Sequence, residues 1–276
     1  MRVELLIAGS THQWGPLAGA GPGRVEFPAL VACLRWPDGP VALFDTGYAA
    51  DAKVAMGRWP ERAYRSLLPI SIGPGQHAAA QLATLGVTAK EVSHIVISHF
   101  HADHIGGLRD FPNARLIHGR ARAPRPAPRA SLAQTRHGFI PQFLPIDFER
   151  RAGRHTDLDP VPIEELGDIG QLFGPGRDLL GDRSAIIIPL PGHEPGHLGL
   201  WLPGQQLLLA GDAIWAPIDA GGLPPRAVQE MVFAQPGAYR NTAARLRELA
   251  RRQPGISIVA SHSRQLIELA QARLAP

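Results

Sequence analysis

Cysteine is nearly missing from this sequence: Cys33 is the only one, which excludes an internal disulfide and any zinc site built from thiolates. Its neighbours, VACLRW, place it in a strand as a small core residue rather than as a nucleophile. Lysine is almost as scarce, occurring only as Lys53 and Lys90. The formal charge of +4 therefore comes from scattered arginines, which form no block of the kind that favours nucleic acid as a partner. No run approaches the ~18 apolar residues of a membrane span. The opening MRVELLIAGS also lacks the apolar region and small-residue cleavage site of a leader. A cytoplasmic location with no membrane partner is the expectation. Only 19% of residues are charged and 45% are hydrophobic, a balance that supports a packed core rather than disorder. One domain over residues 1–276 is expected, and no short-period repeat points to a solenoid.

What is present reads as strands and then helices, twice. VELLIA near Val3, ALVACLRW from Ala29 and VALFDTG from Val41 are β-type runs, the last stopping at Asp45. HAAAQLATLGV (His77 to Val87) reads as a helix closed by Gly86, and VSHIVIS (Val92 to Ser98) as a buried strand. ARLIHG from Ala114 is a further strand. From Arg120 to about Arg183 the chain gains proline and loses clear periodicity, so this stretch is read as a variable insert. Strand patterns return with SAIIIPLPGH (Ser184 to His193), HLGLWLPG and QQLLLAGD (Gln205 to Asp212). A helix from Ala238, a strand ISIVASH (Ile256 to His262) and a last helix follow. Two sheets enclosed by helices, an α/β (α+β) fold, are the expectation.

The chemistry gathers at strand ends. SHFHADHIGG, from Ser98 to Gly107, supplies His99, His101, Asp103 and His104; later strands end at His193, Asp212 and His262. Seven imidazole and carboxylate groups suit two divalent cations, zinc first, with iron or manganese as alternatives. In an extended segment His99 and His101 project to one side, while Asp103 and His104 enter a turn and can address a second ion. Gly106 and Gly107 are expected to let the backbone pack close to the metal centre. GAGPGR (Gly19 to Arg24) is no phosphate cradle, because Pro22 removes an amide donor and no GK[ST] follows. His12, His77, His94, His118, His137 and His155 have no evident partners in the sequence.

HFHADH resembles the HxHxDH motif of the metallo-β-lactamase superfamily, and PGHEPGH at Pro191, AGD at Ala210 and SH at Ser261 follow in family order. The resemblance implies a four-layer αββα sandwich. His99, His101 and His193 would hold one metal, Asp103, His104 and His262 the other, and Asp212 would bridge them. It also implies that Asp45, in FDTG, orients a ligand histidine from outside, and that His197 supports or packs rather than ligates.

Within the superfamily the sequence is most similar to the N-acyl homoserine lactonases. The implied reaction is opening of a lactone or small ester by a metal-bridging hydroxide, with Asp103 relaying a proton to the leaving group. The lactonases place a tyrosine three residues after the bridging aspartate; here that residue is Trp215, which offers no phenol. A phosphodiesterase or nuclease and a glyoxalase II-like thioesterase are the alternative readings. Flavin-linked diiron reductases fit less well, because His101 stands where they carry glutamate. A small-molecule substrate with an acyl or aromatic part is expected. Its pocket would be walled by an N-terminal loop with His12 and Trp14, by Phe139 and Phe143, and by the loop from Trp215 to Phe233. The oligomeric state is left open, with a dimer among the options.

Overall fold

The structure is a computed structural model that describes residues 1–19, 22–215 and 223–275. Its first sheet is built from β1 (Arg2–Trp14), β2 (Arg24–Arg35), β3 (Val41–Phe44), β4 (Ile70–Ser71), β5 (Val92–Val96), β6 (Arg115–His118) and β7 (Ala152–Arg154). The second contains β8 (Pro160–Val161), β9 (Gly176–Asp178), β10 (Ile186–Pro189), β11 (Leu198–Leu202), β12 (Leu207–Gly211) and β13 (Ser257–Ala260). The strand orders are β4-β1-β2-β3-β5-β6-β7 and β13-β12-β11-β10-β9-β8.

Strand alternation explains how the layers stack. On β2, Leu30, Ala32 and Leu34 meet Ile187, Leu200 and Leu209 between the sheets, while Val31 and Cys33 face the helix-covered side with Met56, Leu82 and Ile105. On the far side, Ile186, Ile188 and Leu208 pack under Ala243, Leu246 and Leu249 of the helix Pro236–Arg252. The result is helix, sheet, sheet, helix, as the sequence pattern predicts. Burial pushes the Cys33 thiol up to about 12, with the Glu4 carboxylate adding to the effect, so it stays protonated and unreactive at neutral pH.

Two expectations about segments need correction. His12 and Trp14 do not lie in a loop: β1 runs on to Trp14, which pairs with Arg24 of β2. The stretch from Arg120 to Arg183 is not uniformly irregular either, since β7 edges the first sheet and β8 and β9 edge the second. Strands of two or three residues are too short to show a period. Among the described residues no helix is long and apolar enough to cross a membrane.

Topology places the site. β3, β5 and β6 are parallel neighbours, as are β12 and β13. β10 runs in the same direction as β12, because each is antiparallel to β11 between them. The carboxyl ends of β5, β10, β12 and β13 carry His99, His193, Asp212 and His262, and the end of β3 carries Asp45.

Candidate metal centre

All seven sequence-predicted residues converge. The ligand-type atoms of His99, His101, His193 and Asp212 form one group, and those of Asp103, His104 and His262 a second, each within 4.8 Å. Asp212 reaches into both. Its Oδ2 lies 3.0 Å from His262 Nε2, 3.3 Å from His193 Nε2 and 3.8 Å from His99 Nε2, and its Oδ1 lies 3.3 Å from His104 Nε2. Asp103 Oδ2 is 3.5 Å from His262 Nε2. His101 Nδ1 and His193 Nε2 are 3.1 Å apart.

Outer hydrogen bonds fix which nitrogens face inward. His104 Nδ1 donates to Asp45 Oδ2 at 2.7 Å and His262 Nδ1 donates to the Pro28 carbonyl at 2.8 Å, leaving each Nε2 lone pair toward the cluster. Asp45 also accepts from the Ser98 amide and hydroxyl at 2.8 and 2.7 Å, and that hydroxyl sits 3.0 Å from His99 Nδ1. One aspartate thus reaches two histidines, one directly and one through serine. Asp45 takes φ +58, a left-handed conformation that aspartate tolerates. Next to it, Thr46 donates through both its amide and its hydroxyl to the His104 carbonyl, each at 2.9 Å.

Gly106 and Gly107 serve this turn rather than the metal centre. A Cβ on either would lie 2.7 Å from the Gly47 carbonyl oxygen or 2.8 Å from that of Thr46. His197 supports from the other side, accepting from the Asp212 amide at 3.0 Å. Glu194, from PGHEPGH, accepts from the Phe100 amide at 2.8 Å and pairs with Arg120, tying the two histidine-bearing loops together. The sequence reading missed this pair.

The charge balance calls for added positive charge. Burial opposes ionisation of Asp212, yet His262 and His104 outweigh it and hold the carboxyl well below its ordinary range. Burial likewise opposes protonation of His104 and His262, but Asp212 and neighbouring carboxylates push both upward. His99 and His193 are driven well down by burial first and by neighbouring imidazoles as well. His99 Nε2, His104 Nε2 and Asp212 Oδ1 are buried with no hydrogen-bond partner. Inward-facing imidazole nitrogens and carboxylate oxygens that lack partners are what divalent cations satisfy, and such cations would replace the protons that Asp212 draws onto His104 and His262; the residues fit two such ions.

Above the cluster opens a cavity of about 680 Å3 whose wall includes His101, Asp103, His193, Asp212 and His262. Trp14, 54% exposed, stands on its wall, and Trp215, buried, packs against Phe27 and Phe233 with centroids 5.5 and 5.2 Å away. Three expected wall residues are elsewhere. Phe139 and Phe143 are buried in the core beneath the first sheet, because that segment turns its aromatics inward and offers Leu132, Thr135 and Gly138 to the cavity. His12 is not among the lining residues, although its neighbours Thr11 and Gln13 are. Of the loop from Trp215 to Phe233, residues 216–222 lie outside the described residues. Sequence reading also missed Trp59, Tyr64 and Leu67; the apolar spacing within RWPERAYRSLL was the available signal.

Comparison with known proteins shows the family and the fold. The family model described as the metallo-beta-lactamase superfamily matches residues 24–262. The Mycobacterium tuberculosis protein named "Probable metallo-hydrolase Rv2300c" is 29% identical over 253 residues, covering 87% of this chain and 76% of its own length. The N-acyl homoserine lactonase AiiB of Agrobacterium fabrum is 26% identical over 266 residues, covering 95% and 89%. A solved N-acyl homoserine lactone hydrolase, described with the product N-hexanoyl-L-homoserine at its catalytic metal center, superposes with TM-score 0.68. That match has 16% identity and covers 97% of this chain and 95% of the other, a likeness of fold. With the family match running from β2 to His262, this chain belongs to the metallo-β-lactamase superfamily.

Proposed function

We propose that the chain, acting as one unit over residues 1–276, is a binuclear metal-dependent hydrolase that opens a lactone or cleaves a small ester. The observation that carries this reading is the Asp212 carboxylate, within 4 Å of four imidazoles drawn from both ligand groups, on the wall of a largely apolar cavity. His99, His101 and His193 would hold one cation, Asp103, His104 and His262 the other, with Asp212 between them. Two divalent cations there, zinc first by ligand chemistry and iron or manganese otherwise, would supply Lewis acidity and lower the pKa of water from 15.7 toward ~7.

The protein's own part is placement and proton transfer. Asp45 and His197 fix the ligand orientations, and Asp103, on the cavity wall, carries a proton to the departing alkoxide. Trp14 and Trp215 face the non-reacting part of the substrate. Similarity to AiiB over most of both chains supports lactones as the first substrates to try. The wall of the cavity suits an acyl chain better than a polyanion, which ranks a phosphodiesterase lower.

Metal analysis of the purified protein, with a panel of lactones, aryl esters, thioesters and phosphodiesters before and after chelation, tests the reading. Chelator-sensitive turnover of lactones or esters is expected. Turnover confined to phosphodiesters, or undiminished by complete metal removal, overturns it.

A further inference from the structure

Among the described residues three hydroxyl-bearing side chains line the cavity, Thr11, Tyr64 and Thr135. Thr11 donates to the Pro69 carbonyl at 3.3 Å and Thr135 to the Ser131 carbonyl at 2.9 Å. Tyr64 Oη makes no hydrogen bond among the described residues. Its place is nonetheless well fixed. It sits on the helix Glu61–Leu67, whose Glu61 accepts from the Ala130 amide at 2.6 Å and from Gln142, clamping the helix to the segment beneath it.

Gly138 locates the phenol relative to the cluster. A Cβ there would lie 3.3 Å from Tyr64 Oη and 3.0 Å from His101 Cδ2, so phenol and imidazole face each other across one glycine. The Trp215 indole nitrogen, by contrast, is buried with no hydrogen-bond partner among the described residues. Burial pushes the Tyr64 phenol upward, so it keeps its proton and is a donor at neutral pH.

We propose that the Tyr64 phenol donates a hydrogen bond to the carbonyl oxygen of the substrate, a catalytic role that rests on the ester-hydrolase reading above. Attack by water on the carbonyl carbon, its proton passing to the Asp103 carboxylate, moves an electron pair onto that oxygen, and the Tyr64 O–H stabilises the charge without giving up its own proton. When the carbonyl reforms, the bond to the leaving oxygen breaks, and the leaving oxygen takes its proton from Asp103. The donor is placed before the reaction begins, which is what gives such groups their effect.

The test compares wild type with Tyr64→Phe on N-hexanoyl homoserine lactone, p-nitrophenyl hexanoate and ethyl hexanoate. Because this hydroxyl bonds nothing among the described residues, metal content and Tm should be unchanged. The expected result is a loss in kcat on the order of 10²-fold, with KM within about threefold, on both esters alike. Full kcat in Tyr64→Phe overturns the proposal, as does a loss confined to the ethyl ester, which would make the phenol a leaving-group acid. A metal-loaded wild type inert toward all three compounds overturns the ester-hydrolase reading itself, so the two failures are distinguishable.

Discussion

The Asp212 backbone N–H donates to His197 Nε2 at 3.0 Å, while Nδ1 of the same ring donates to the Leu190 carbonyl at 3.0 Å. Burial drives this imidazole down to about 4, so it is neutral and can accept and donate at once. Gly211 takes φ +54, and a Cβ there would lie 2.8 Å from His197 Nε2; the chain turns tightly over the ring just before Asp212. His197→Phe keeps the ring volume and strands both partners. It should destabilise the chelated protein by about 2 kcal/mol in urea unfolding and weaken metal binding. Unchanged values for both would make His197 a filler.

Asp45 makes a different kind of prediction, because Asn fits its left-handed backbone equally well. Three donors converge on its two oxygens: the Ser98 amide, the Ser98 hydroxyl and His104 Nδ1. An amide presents a donor where one of them needs an acceptor. Asp45→Asn should therefore lower metal affinity by roughly 10- to 100-fold, measured by competition with a chromophoric chelator. Wild-type affinity would show that the histidines are oriented by something else.

These two residues also mark how far the sequence could be read. The clustering of the seven residues was legible because four of them share one six-residue segment and the rest end strands with strong apolar patterns. Asp45 was legible through its Asp-Thr-Gly turn. Glu194 was not, since nothing local reveals a carboxylate that caps an amide 94 residues away. The cavity wall was read least well. Phe139 and Phe143 looked like substrate contacts but are core, because aromatic residues in an irregular segment carry no period to say which way they face. Trp59 and Leu67 lie 66% and 77% exposed on the cavity wall, a fact set by tertiary placement.

The Arg120–Glu194 pair should behave as a unit. Glu194 is 6% exposed, and the Arg120 guanidinium lies 5.0 Å from the Phe100 ring centroid. Arg120→Met leaves the carboxylate nearly buried without its cation and should cost about 3 kcal/mol. The double variant Arg120→Met with Glu194→Gln should recover part of that loss. A double-mutant cycle with no coupling energy in thermal unfolding would contradict the bridge.

His118 predicts an acid-side loss of stability. It is 1% exposed between Phe100 and Phe148, and burial, with nearby arginines and His155 adding to it, pushes its pKa down from 6.5 to about 4. The unfolded chain takes up a proton near pH 6.5 and the folded chain does not, so stability falls as pH drops from about 6.5 to 4 and the effect is complete below that. The contribution is at most about 3 kcal/mol. Denaturant midpoints for wild type and His118→Phe should converge or cross across this window; parallel curves would rule His118 out as a source.

The exposed apolar rim makes the last prediction. Trp14, Trp59, Leu67 and Leu132, all more than half exposed, stand around one cavity with the ligand cluster on its wall. Exposed side chains this large cost solvation in the free protein, and covering them with an acyl chain recovers up to ~0.8 kcal/mol for each methylene that leaves water. kcat/KM should therefore climb from acetyl to hexanoyl esters by at least tenfold, given that only part of each increment is realised in the transition state. Trp59→Ala and Leu67→Ser together should flatten that slope while leaving acetyl turnover unchanged, because neither residue touches the reacting centre. A chain-length series equally steep in this variant would place the acyl group on another wall, and a flat series in the wild type would mean that the rim faces something other than substrate.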